Sequence, residues 1–146
     1  MKNYLAALVL LLCSVVVFAA SDPTAQVKAA AQTWGEVLAS GDAKKMATLY
    51  DTNAYLYATF QNKISSSEGL LSYFKKLMLH PDLNVKFQKQ NIRIHHATAI
   101  NSGLYVFSYK DAGKIVRIPA RFTFVYTLQP NGWLIVEHHS SILPDK

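Results

Sequence analysis

The stretch Ala120-Arg121-Phe122-Thr123-Phe124-Val125-Tyr126, the turn Pro130-Asn131-Gly132 and the run Trp133-Leu134-Ile135-Val136-Glu137-His138-His139-Ser140-Ser141 decide the fold. Two runs rich in aromatic and β-branched residues flank one tight turn, which is the pattern of a β-hairpin. Neighbouring side chains on a strand point to opposite faces. Arg121, Thr123 and Val125 therefore share one face of the first strand, and Phe122, Phe124 and Tyr126 the other. On the second strand regular alternation groups Leu134, Val136, His138 and Ser140 against Trp133, Ile135, Glu137, His139 and Ser141.

Working outward from the hairpin, the first strand extends back to Lys114, and Asp111-Ala112-Gly113 forms another turn. Ala99 to Tyr109 reads as a strand with a bulge at Gly103. Leu83 to Ile94 reads as a strand broken near Gln90-Asn91. Upstream, Ser65 and Glu68 have capping-box spacing. They open a helix that buries Leu70, Leu71, Phe74, Leu77 and Met78 and stops at His80-Pro81. Asn53 to Phe60 has a two-residue period, with Tyr55, Tyr57 and Thr59 opposite Ala54, Leu56, Ala58 and Phe60. Asp22-Pro23 opens the first helix. Its apolar stripe is Val27, Ala30, Ala31, Trp34, Val37 and Leu38, and Gly41 ends it. Asp42 caps a second, short helix through Tyr50. Helices grouped ahead of consecutive antiparallel strands give an α+β layer, a curved sheet with helices on one face.

The chain has 146 residues, the size of one domain. Its start is of another kind. Lys2 precedes an apolar run from Tyr4 to Phe18, with Ala19 and Ala20 after it, which is the pattern of a secretory signal peptide. The run falls short of the roughly 20 residues a spanning helix needs. The expected division is a signal peptide at 1-19 and a single domain at 20-146, with a secreted or periplasmic location and no stable membrane anchor. Leu12 before Cys13 is too large for a lipidation site. Cys13 leaves with the leader, and the mature domain then has neither disulfide nor thiol chemistry. It keeps 14 basic and 9 acidic residues, a net +5. The basic residues are scattered, with no clustered basic-aromatic patch, and nucleic acid is not expected as a partner.

Several segments together carry a family resemblance: Ala39-Ser40-Gly41-Asp42, Leu49-Tyr50-Asp51, Glu68-Gly69-Leu70-Leu71-Ser72-Tyr73-Phe74, Ser102-Gly103-Leu104-Tyr105-Val106-Phe107 and the closing hairpin. The chain resembles the nuclear transport factor 2-like (SnoaL-like) superfamily. Within it, the chain looks most like SgcJ/EcaC-type proteins and the association domain of calcium/calmodulin-dependent protein kinase II. The resemblance implies a cone-shaped fold in which a curved mixed or antiparallel sheet wraps around the N-terminal helices. It also implies a pocket inside the cone and pairing through the open sheet face, as a homodimer or larger homo-oligomer. The pocket arginines of the kinase association domain fall near Phe124 and Ser140 here.

Chemistry narrows less than fold. The resemblance makes Arg121 a forked contact for an anionic ligand; a cross-hairpin pair with Glu137 is the other reading. His138 and His139 point to opposite faces and cannot chelate one metal together, and His95-His96 has the same limit. No His-x-His or HExxH spacing occurs, and no metal is expected. Either histidine, with Glu137, is a candidate for acid–base catalysis. Tyr55, Tyr57, Tyr105 and Tyr126 are expected to line a cavity or fill the core. No glycine-rich phosphate loop, dinucleotide fingerprint or nucleophile elbow is present, and no cofactor is expected.

Two readings result. One is a small-ligand-binding, homo-oligomerising module whose polar pocket takes a small anionic or polar ligand through Arg121, Tyr55, Tyr57, Tyr105, His138 and Ser140. The other is a cofactor-independent isomerase or cyclase, or an SgcJ/EcaC oxidoreductase-like protein, that uses His138 or His139 with an acid.

Overall fold

The structure is a computed structural model that describes residues 22–59 and 61–144. The expected signal peptide, residues 1–19 with Cys13, lies outside the described residues, as does Phe60.

Among the described residues, three helices and five strands follow one another as α1 (Pro23–Ser40), α2 (Ala43–Ala47), β1 (Tyr50–Tyr57), α3 (Ser67–Leu77), β2 (Asn84–His95), β3 (Thr98–Asp111), β4 (Lys114–Gln129) and β5 (Gly132–Ile142). α1 starts where the Asp22 carboxylate accepts the Thr24 N–H at 3.1 Å and Pro23 fills a position that needs no donor. It stops at Gly41, whose φ of 75° suits a residue without Cβ. Val27, Ala31, Trp34, Val37 and Leu38 recur at helical spacing and are buried against the sheet.

The strands order as β1-β5-β4-β3-β2. β2 to β5 form an antiparallel meander, and β1 joins β5 in parallel. The sheet is therefore mixed, and its concave face holds the core. Tyr105, Phe122, Phe124, Tyr126 and Ile135 lie there with at most 2 % exposure. Trp34 projects from α1 into their middle, with its ring centroid 5.3 Å from that of Phe124 and 6.5 Å from that of Tyr105. Such offset and tilted contacts suit the ring quadrupoles.

The structure differs from five local expectations. The short helix does not reach Tyr50: α2 ends at Ala47, and the Ile135 N–H binds the Leu49 carbonyl at 3.0 Å. The sheet captures the chain there, so Tyr50 opens β1. Ser66, not Ser65, caps α3 by accepting the Gly69 N–H at 3.0 Å, which leaves Glu68 one position short of a capping box. β2 has no break near Gln90-Asn91. Its irregularity is a bulge at Gln88, between the pairs Phe87–Tyr105 and Lys89–Leu104. Gly103 is not the bulged residue but stands across from this distortion, where a Cβ would collide with the Lys89 carbonyl.

The fifth difference bears on the site. β5 does not alternate regularly. Val125 pairs with Glu137 but Tyr126 with Ile135, so Val136 is a bulge. One extra residue flips the pattern. Ile135, His138 and Ser140 face the core together, while Glu137 and His139 are exposed on the other face.

Candidate functional site

His138 is 3 % exposed and sits between two tyrosines. Tyr50 Oη lies 2.9 Å from its Nδ1, and Tyr105 Oη lies 3.4 Å from its Nε2. The Trp34 indole donates to Tyr50 Oη at 2.9 Å, and Tyr105 donates to Ser140 Oγ at 2.7 Å. Five residues from α1, β1, β3 and β5 thus form one buried hydrogen-bonded row. The Phe124 ring packs 4.4 Å from the imidazole and Trp34 meets it edge to face at 5.5 Å.

Burial governs the charge state of the row. It lowers the pKa of His138 from 6.5 to about 3, and the neighbouring His139 adds repulsion in the same direction. The imidazole is neutral at physiological pH. Desolvation also pushes the Tyr50 and Tyr105 phenols well up, and the Tyr73 phenol up to about 12. The row therefore offers neutral donors and acceptors and no ion.

The row borders a cavity of about 200 Å³. His138, Ser140 and Tyr105, with Thr59 and Tyr73, are among its polar lining; Leu56, Phe74 and Ile118 are among the apolar side chains that complete it. His80, itself exposed, also lines the cavity, its ring tilted against Tyr109 with the centroids 4.3 Å apart. No Asp, Glu, Lys or Arg is among the described lining residues. A second cavity of about 210 Å³ near Trp133 and Ile135 lies against Tyr126, whose hydroxyl is buried without a partner.

The sequence-derived site residues separate into two groups. Tyr105, His138 and Ser140 come together at the cavity. Arg121, Tyr55 and Tyr57 do not line it. Arg121 lies exposed on the convex face, and the two tyrosines are 42 % and 41 % exposed on β1. The strand period explains this: Ala120 and Phe122 take the inward positions on β4, and Ala54 and Leu56 on β1. Arg121 does not pair with Glu137 either. It stands opposite Ser141, four residues further along β5, and its guanidinium reaches the Ile142 carbonyl at 3.5 Å. Glu137 and His139 share that outer face, so no carboxylate accompanies His138. Sequence reasoning missed Trp34 and Tyr50 as members of the site. Trp34 carries only the signal of a core stripe, and the pattern of the short second helix runs through Tyr50, which the structure gives to β1. Among the described residues no three His, Cys, Asp or Glu gather as a metal site would require.

Comparison with known proteins gives a consistent picture. The profile of the calcium/calmodulin dependent protein kinase II association domain matches residues 24–144. Among solved structures, the chain is similar to a Xanthomonas campestris protein described as a candidate association domain of that kinase. The two are 32 % identical, the match covers 82 % of this chain and 87 % of the other, and the TM-score is 0.77. It is also similar to the kinase II hub homology domain of Chlamydomonas reinhardtii, at 20 % identity over 84 % and 100 % of the two chains with a TM-score of 0.68. A nuclear transport factor 2-like protein of Salmonella enterica shares the fold at 13 % identity, 85 % and 93 % coverage and a TM-score of 0.74. No curated protein matches the sequence.

Proposed function

The chain belongs to the calcium/calmodulin dependent protein kinase II association domain family, and from that premise we propose that it is an exported, homo-oligomerising module whose cone binds a small neutral ligand. The observation that carries the ligand half is the cavity beside His138, Tyr105 and Ser140, apolar over most of its wall and without a charged side chain. A cavity of about 150 Å³ admits a benzene ring, so about 200 Å³ suits one ring or a short branched chain. A carboxylate entering it would lose its hydration and meet no cation, which is costly. An anionic ligand held by Arg121 therefore draws no support from this cavity. The isomerase or cyclase reading draws none either, because His138 has no acid beside it and both its ring nitrogens are engaged.

The assembly half rests on the family and on the convex sheet face, where Tyr55 and Tyr57 are exposed on β1 and Thr123 and Val125 are half-covered on β4, beyond β5. Sedimentation at micromolar concentration is expected to give a dimer or larger species, and a monomer would remove this half. Export rests on the apolar run from Tyr4 to Phe18. Fractionation of expressing cells with N-terminal sequencing is expected to recover, outside the cytoplasm, a chain that starts at Ala20. A full-length chain kept in the cytoplasm would defeat the export half. Ligand binding is tested by titrating small neutral cyclic compounds and their carboxylates and following the Trp34 fluorescence or the melting temperature. The neutral compounds are expected to bind.

A further inference from the structure

Proton counting fixes the direction of the buried row. The Trp34 indole can only donate, so Tyr50 Oη accepts its N–H. Tyr50 is 4 % exposed, and the acceptor for its own proton is His138 Nδ1 at 2.9 Å. A neutral imidazole with Nδ1 accepting carries its proton on Nε2, which faces Tyr105 Oη. Tyr105 accepts there and donates onward to Ser140 Oγ at 2.7 Å. The reverse order would give Tyr50 two incoming protons and leave its own buried without an acceptor, a costly arrangement. All the donors therefore run one way, from Trp34 through Tyr50, His138 and Tyr105 to Ser140.

The consequence falls on the last member. Ser140 Oγ already accepts from Tyr105, and the hydroxyl retains one proton to give. Ser140 lines the cavity. The phenol takes one of the serine hydroxyl's two acceptor positions, and the hydroxyl's single proton is the donor that the row leaves for the cavity. Polarisation along such a row strengthens the terminal donor.

We infer that the cavity selects a small neutral molecule with a carbonyl acceptor, such as a ketone, aldehyde or amide, whose oxygen receives the Ser140 hydroxyl proton while its apolar part lies against Leu56, Phe74 and Ile118. This rests on the reading of the cone as a ligand cavity. The preference comes from the row, which leaves the Ser140 proton for an acceptor.

The test uses cyclohexanone and its hydrocarbon isostere methylenecyclohexane as probes, titrated into the oligomeric protein and into Ser140→Ala. Loss of one hydrogen bond is expected to weaken cyclohexanone about fivefold to tenfold and to leave the isostere unchanged. In the infrared, the carbonyl stretch of bound cyclohexanone is expected to be displaced to lower frequency in the wild type and to return towards the unbonded position in Ser140→Ala. That readout does not depend on stability. If both probes bind and Ser140→Ala changes neither ratio nor stretch, the acceptor selectivity is wrong and the cavity stands. If neither probe binds the wild type, the cavity reading and this inference fall together.

Discussion

His138 is the residue whose chemistry departs furthest from its ordinary behaviour. Its pKa is about 3 in the folded protein because burial, and then His139, disfavour the imidazolium. In the unfolded chain it titrates near 6.5. Between these values the unfolded state binds more protons, so stability is lost as pH falls from about 6.5 towards 3 and is unaffected by this group above that window. The slope from one such group approaches about 1.4 kcal/mol per pH unit. Urea melts from pH 7 to 4 are expected to show it, and His138→Phe is expected to flatten it. At pH 7 the same substitution leaves the Tyr50 and Tyr105 hydroxyls without their nitrogen partners, at a cost of roughly 1–3 kcal/mol. The tyrosines work in the other direction. Tyr50, Tyr73, Tyr105 and Tyr126 all have raised pKa values from burial. The unfolded chain ionises them near pH 10 and the folded one holds them neutral, so stability is expected to fall as pH rises past 10, seen as early alkaline unfolding by circular dichroism. A chain in which Phe replaces Tyr126, whose hydroxyl has no partner, is expected to keep or gain stability at neutral pH.

Two irregularities in the sheet shape its strands. The bulge at Val136 turns Ile135, His138 and Ser140 inward together. The bulge at Gln88 lets β2 wrap across β3, and Gly103 is what permits the close approach. Gly103→Ala would press a methyl group into the Lys89 carbonyl, and the two strands must part to admit it. The expected cost is about 1–3 kcal/mol or more, read as a lower urea midpoint with an unchanged m-value. A Gly41→Ala change, at the end of α1 where nothing lies within 4 Å but φ is 75°, is expected to cost about 1 kcal/mol by strain alone. The contrast separates steric contact from backbone conformation. At this scale much was legible. Asp22-Pro23 and Gly41 bounded α1 because capping is a property of a few adjacent residues. The β5 face assignment was not, because a bulge arises from how two strands register against a third.

For the whole molecule, the mixed sheet has one face filled by Trp34 and the aromatic core, while the other carries Arg121, Thr123, Val125, Glu137 and His139. If copies associate through this convex face, Val125→Lys should dissociate them by placing an unpaired charge in the contact. Sedimentation is expected to show monomers, with the circular dichroism spectrum and the cavity titration unchanged because Val125 points away from the core. An oligomer that survives Val125→Lys and Thr123→Lys together would place the contact elsewhere.

By itself the sequence determined the element order, the amphipathic faces of α1 and α3 and the hairpin at its centre. All of these follow from local periodicity and from turn and cap chemistry, which act over a few residues. Only the tertiary structure decided which polar residues meet. Trp34, Tyr50, Tyr105, His138 and Ser140 stand up to 106 positions apart, from 34 to 140. Their contact depends on a parallel pairing of β1 with β5, a one-residue bulge at Val136 and the depth to which α1 sinks its indole. None of these leaves a periodic trace, because each is settled by the mutual fit of elements distant in the chain. The same fit decided which of the two faces became the core, and left the cavity without a charged lining residue among those described.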